Sequence, residues 1–88
     1  MSGHRPITDS EIRQHLFSEG GEETDFVIVG PCSAGTYLIC QWHPSTSRYL
    51  QLLIEDDEVY AACIQYLKSH GARSVQNSRA LEALGPPK

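Results

Sequence analysis

An 88-residue chain that is 40% apolar and 20% charged has the make-up of a folded protein and is too short for more than one domain. Eleven acidic against seven basic residues give a net charge of −4, a balance that argues against binding the phosphate backbone of nucleic acid. No apolar run approaches the roughly 18 to 20 residues of a membrane helix, so a membrane partner is not expected.

The opening segment, Met1–Pro6, has no apolar stretch behind Arg5, so no secretory leader is expected. Thr8 then stands three residues before Glu11, the spacing of a capping box, and Ile7 precedes the cap as Ile12 follows it, the hydrophobic-staple pair. With Ile12 and Leu16 as the buried stripe and Gly20-Gly21 as the stop, the pattern predicts a helix over about 9–18. Three strand-like runs follow: Asp25–Val29, closed by Gly30-Pro31; Thr36–Trp42, stopped by His43-Pro44; and Arg48–Ile54, after the turn-rich Ser45-Thr46-Ser47. The short connections suit antiparallel pairing.

Glu55-Asp56-Asp57-Glu58 opens a second helix, where carboxylates complement the positive end of the helix dipole. Val59, Ala62, Cys63, Tyr66 and Leu67 recur at helical spacing as its apolar face. Gly71 is placed for a left-handed cap. Ala72–Val75 reads as a short edge strand, and Asn77 or Ser78 as the cap of a last short helix ending before Gly85-Pro86-Pro87. The expected fold class is α+β: a three-stranded antiparallel meander with two helices packed on one face (α-β-β-β-α), plus a short C-terminal strand and helix. The expected domain is the whole of 1–88, with a core over 7–75 and a tail over 76–88.

This order of elements over about residues 8 to 70 resembles that of the double-stranded RNA-binding domain. That family contacts phosphates with a basic cluster at the start of its second helix, where this chain carries Glu55, Asp56, Asp57 and Glu58. The resemblance therefore implies a topology and does not carry RNA binding with it.

Alternation divides each strand into two faces. Leu38, Cys40 and Trp42, with Leu50, Leu52 and Ile54, form the expected core face under the helices, and Trp42, Leu52 and Leu67 are expected to meet there. The other face, carrying Tyr37, Ile39, Tyr49, Gln51 and Leu53, is less polar than a wet sheet face should be. Tyrosine combines a rigid apolar body with a polar tip and is enriched at interfaces. Either the tail, through Leu81 and Leu84, or a partner should cover this face, and a homodimer is the favoured partner.

Candidate chemistry is sparse. Cys32, Cys40 and Cys63 make an odd set with no Cys-x-x-Cys pair, which suits free thiols in a reducing cytoplasm. Cys32, among Gly, Pro, Ser and Ala, is the one candidate reactive thiol, although activation needs a nearby base. Cys40 and His43 with Cys63 and His70 suggest zinc only superficially, since Cys40 falls in mid-strand and Cys63 on an apolar helix face; no metal and no cofactor are expected. The acidic run is read as capping rather than acid–base catalysis. Up to Glu58 there are ten acids and three bases, and beyond it one acid and four bases. Lys68, Arg73 and Arg79 could therefore contact an anion, with weak nucleic-acid binding as an alternative function. The leading reading is a non-catalytic protein-interaction or regulatory module that associates with itself or another protein through the outer sheet face.

Overall fold

The computed structural model describes residues 7–18 and 20–87. Met1–Pro6, on which the expectation of no leader rests, and Lys88 of the basic tail lie outside them. The elements are α1 (Asp9–Leu16), β1 (Phe26–Val29), β2 (Leu38–His43), β3 (Arg48–Gln51), α2 (Asp57–Ser69), β4 (Arg73–Val75) and α3 (Ser78–Leu84), with 3-10 turns at Glu23–Asp25 and Ser33–Gly35. The fold is α+β, and no helix among the described residues is long and apolar enough to cross a membrane.

The helix ends form as the sequence chemistry dictates. The Glu11 N–H donates to Thr8 Oγ1 at 3.2 Å, and the Thr8 N–H donates to Glu11 Oε1 at 3.0 Å, closing the capping box. Asp56 caps α2 by accepting from the Glu58 and Val59 amides at 2.8 and 3.2 Å, so the acidic run supplies a cap and a first turn. At the other end Gly71 adopts φ +79°, and the Ala72 N–H reaches back to the Leu67 carbonyl at 2.9 Å, a Schellman closure. Asn77 caps α3 through Oδ1, which accepts from the Ala80 N–H at 2.9 Å.

The sheet has four strands in the order β3-β2-β1-β4. β1 pairs antiparallel with β2, and β2 with β3, as the meander requires. β4 is the short edge strand expected over Ala72–Val75, and it lies parallel to β1, matching Val27, Ile28 and Val29 with Arg73, Ser74 and Val75. The α2 helix is the crossover that parallel pairing needs. At the end of β1, Gly30 has φ +148°, and a Cβ there would lie 2.8 Å from both the Thr36 carbonyl oxygen and the Tyr37 ring. Only glycine fits that turn.

All four β1 residues are buried, so both faces of the sheet are apolar at its centre. On one face Phe26, Ile28 and Ile39 pack with Ile12, Leu16, Cys63, Tyr66 and Leu67 of α1 and α2. On the other, Val27, Val29 and Cys40 pack with Leu81 of α3, and Leu38, Tyr49, Val75 and Leu84 close around them. Three expectations are corrected here. Helices cover both faces, so the core runs past Val75 to Leu81 and Leu84. The faces of β2 are exchanged: Ile39 lies under α1 and α2, whereas Leu38 and Cys40 look toward α3. Trp42 is half-buried beside Tyr49, and Leu52 packs with the α1/α2 core, so Trp42, Leu52 and Leu67 do not form one cluster.

Tyr60 joins α2 to the sheet. Its hydroxyl accepts from the Ile39 N–H at 2.9 Å and donates to the Tyr37 carbonyl at 2.9 Å, on the stretch of β2 where pairing with β3 gives out. Burial pushes the phenol pKa up, so it stays a neutral donor and acceptor through the physiological range. Tyr60→Phe leaves a buried amide and a carbonyl without their partner and should cost about 1–3 kcal/mol in urea unfolding. An unchanged midpoint would show that the two bonds contribute nothing net.

Candidate interaction surface at the β3 edge

β3 is an edge strand, and its hydrogen-bond phase follows from one contact. The Leu52 N–H donates to the Ile39 carbonyl at 2.8 Å, and Cys40 lies opposite Gln51. In an antiparallel ladder bonded and non-bonded pairs alternate. Leu50 and Leu52 thus turn their backbone groups inward to β2, whereas Tyr49 and Gln51 turn theirs to the open edge. Leu50 is 40% exposed and Leu53 81% exposed, the large apolar side chains most open to water among the described residues.

Beside this edge lies a cleft of about 690 Å³, lined by Trp42, Arg48, Tyr49, Leu50, Leu81 and Pro86 among others. Its aromatic wall is a T-shaped pair, Trp42 and Tyr49, with centroids 5.0 Å apart and planes at 66°. Tyr49 is held from both sides: its hydroxyl accepts from Arg73 Nη2 at 2.7 Å and donates to the Gly85 carbonyl at 2.8 Å. That second bond ties the end of α3 to the edge strand, so the cleft exists only while α3 is docked.

The five residues expected to share the outer face are divided between the two sides of the sheet. Ile39 is fully buried under the helices and Tyr37 is half-buried against the same core. Tyr49 and Gln51 face the α3 side, opposite Trp42 and Cys40 in the ladder, and Leu53 is exposed past the strand end. One contiguous apolar patch of Tyr37, Ile39, Tyr49, Gln51 and Leu53 is therefore corrected, because β2 presents Ile39 to one side and β3 presents Tyr49 and Gln51 to the other.

The cations are likewise dispersed. Lys68 Nζ sits 4.5 Å above the Tyr37 ring on the helix side. Arg73 is spent on Tyr49 and on the Thr24 carbonyl (3.3 Å) on the α3 side, and Arg79 is exposed on α3. They make no common anion site. Cys32 is half-buried with its Sγ 3.9 Å from the Val29 carbonyl, and among the described residues no imidazole or amine bonds to it. Cys40 and Cys63 lie in different clusters on opposite sides of the sheet, and no group of three metal-ligating side chains forms among the described residues.

A polar cluster that sequence reading missed joins α1, the 3-10 turn at Glu23–Asp25 and α2. Arg13 Nη1 donates to the Tyr66 hydroxyl at 2.8 Å, Tyr66 donates to Glu23 Oε2 at 3.0 Å, and Arg13 and Glu23 pair at 3.3 Å. Backbone and Tyr66 hydrogen bonds hold the Glu23 carboxyl below its usual range, with the Arg13 charge adding to them. Each member is satisfied by the others, which makes the cluster a brace between elements.

No protein family, curated protein or solved structure shows significant similarity to the chain.

Burial ranks the thiols. Cys63 is pushed up to about 11 by desolvation, and burial also raises Cys40. At pH 7.5, alkylation should therefore label the more accessible Cys32 first. Leu81→Asp places a charge in the Val27, Val29 and Cys40 cluster and should lift α3 away. Cys40 labelling should then accelerate at least about tenfold, by local opening, while Cys63 stays slow. Unchanged Cys40 labelling would mean α3 is not its cover.

Proposed function

We propose that the protein is a non-catalytic protein-interaction module whose binding surface is the open edge of β3 with the adjoining aromatic cleft. The observation that carries this reading is an edge strand with outward backbone groups at Tyr49 and Gln51, flanked by exposed Leu50 and Leu53. An added strand gains main-chain hydrogen bonds from such an edge, and a neighbouring pocket selects its side chains. The cleft lined by Trp42, Tyr49 and Leu50 supplies that pocket. The edge is short and carries Arg48, features that restrain indiscriminate pairing. The three free thiols, two of them buried on opposite sides of the sheet, support a reducing cytoplasmic setting.

A photo-cross-linking residue placed at Leu53 should capture a protein partner in cells, whereas one placed at exposed Gln65 of α2 should not. Equal capture at both positions, or none at Leu53, would contradict the reading.

A further inference from the structure

We propose that the partner of the β3 edge is a second copy of this chain, paired antiparallel about a two-fold axis at Leu50, so that two four-stranded sheets join into one of eight strands. The inference rests on the preceding reading that the β3 edge is the binding surface, and it names the occupant.

Hydrogen-bond phase limits the possible registers. Only Tyr49 and Gln51 of β3 turn their backbone groups outward, so an antiparallel copy must set these residues against its own Tyr49 and Gln51. Centred on Leu50, Tyr49 of each chain exchanges both backbone bonds with Gln51 of the other, and every outward group of the strand is used. Centring on Tyr49 instead would set Leu50 against Arg48. Centring on Gln51 would shift the pairing beyond the last residue of β3.

The Leu50-centred register also matches side chains. The two Leu50 residues become a non-hydrogen-bonded pair, whose Cα atoms approach to about 4.5 Å, and each covers the other's exposed apolar surface. Charge selects the antiparallel sense. β3 begins at Arg48, next to His43 in the ladder, and is followed by Glu55, Asp56, Asp57 and Glu58. Antiparallel pairing brings the basic start of each strand toward the acidic segment after the other. Parallel pairing would set Arg48 against Arg48 and acid against acid, which is unfavourable. An edge strand that starts at a cation, has an apolar midpoint and leads on into an acidic segment is complementary to itself under a two-fold axis.

The test uses the full-length protein and light scattering from 10 to 500 μM, concentrations on the order of those at which weak dimers form. Wild type should reach twice the 9.8 kDa chain mass. Leu50→Lys and Leu50→Glu each set like charges face to face and should weaken dimerisation at least about tenfold, while their equimolar mixture should recover the dimer. Gln51→Pro removes an outward N–H without touching the β2 ladder, as proline is tolerated at strand edges. It should give a folded monomer even if a charge at position 50 perturbs folding. A wild type that stays monomeric throughout, a Leu50→Lys or Gln51→Pro protein that stays dimeric, or a charge-swap mixture that stays monomeric would overturn the proposal. Monomeric wild type together with a cross-link from Leu53 to a different protein would overturn the second copy and leave the β3 binding surface standing. Monomeric wild type with no cross-link would overturn both.

Discussion

Phe26, Val27, Ile28 and Val29 are all at most 2% exposed, and most of the architecture follows from that run. Side chains alternate across a strand, so four buried residues in a row require cover on both faces and a neighbour at each edge. β2 and β4 provide the neighbours, one antiparallel and one parallel. The helix pair α1 and α2 takes Phe26 and Ile28. α3 must take Val27 and Val29, although a seven-residue helix would not persist alone in water. Burying Leu81 contributes about 1.5–3 kcal/mol, and the Tyr49 bond to Gly85 anchors the far end of the segment.

Three tyrosines repeat one device. Tyr49, Tyr60 and Tyr66 each accept a hydrogen bond from a nitrogen donor and give one to an oxygen on a different segment. A phenol can cross an apolar layer and still satisfy polar groups at its tip. Among the described residues no buried side-chain polar atom lacks a partner. The polar groups are thus matched to one another inside the fold. With both faces of the sheet covered at β1 as well, the surface proposed for a partner is an edge. β4, the other edge, has only three residues, whereas β3 continues into exposed Leu53 and carries the cleft beside it.

The local signals were legible. The Thr8–Glu11 box, the Cys63, Tyr66 and Leu67 stripe, Gly71 as the left-handed cap and Asn77 as the α3 cap all appear where residue chemistry put them. The faces of β2 were not legible, because Leu38, Cys40 and Trp42 alternate with Tyr37, Ile39 and Gln41, and a period of two cannot choose between two apolar faces. The excess apolar surface was visible in the sequence, but its owner was not. Tyr37 and Ile39 pack on the α1/α2 side, whereas α3, whose Leu81 and Leu84 gave too short a pattern to outweigh a partner chain, takes Leu38, Cys40 and Tyr49. The parallel pairing of β4 and the contacts of Tyr60 and Tyr66 link residues far apart in the chain, and spacing does not report such contacts. At the candidate surface, Leu50 and Leu53 were readable as apolar, but their exposure was not: Leu50 lies on an edge strand and Leu53 past its end, and residue spacing does not report a strand's place in the sheet.

Amide hydrogen exchange tests the central role of β1 most directly. If a strand covered on both faces holds the fold together, the amides of Val27, Ile28 and Val29 open only with the whole molecule. Their exchange free energies should then equal the global unfolding free energy from denaturant titration and be no lower than that of Leu67 in α2. Exchange of the β1 amides through a cheaper local opening, while Leu67 stays protected, would contradict this account.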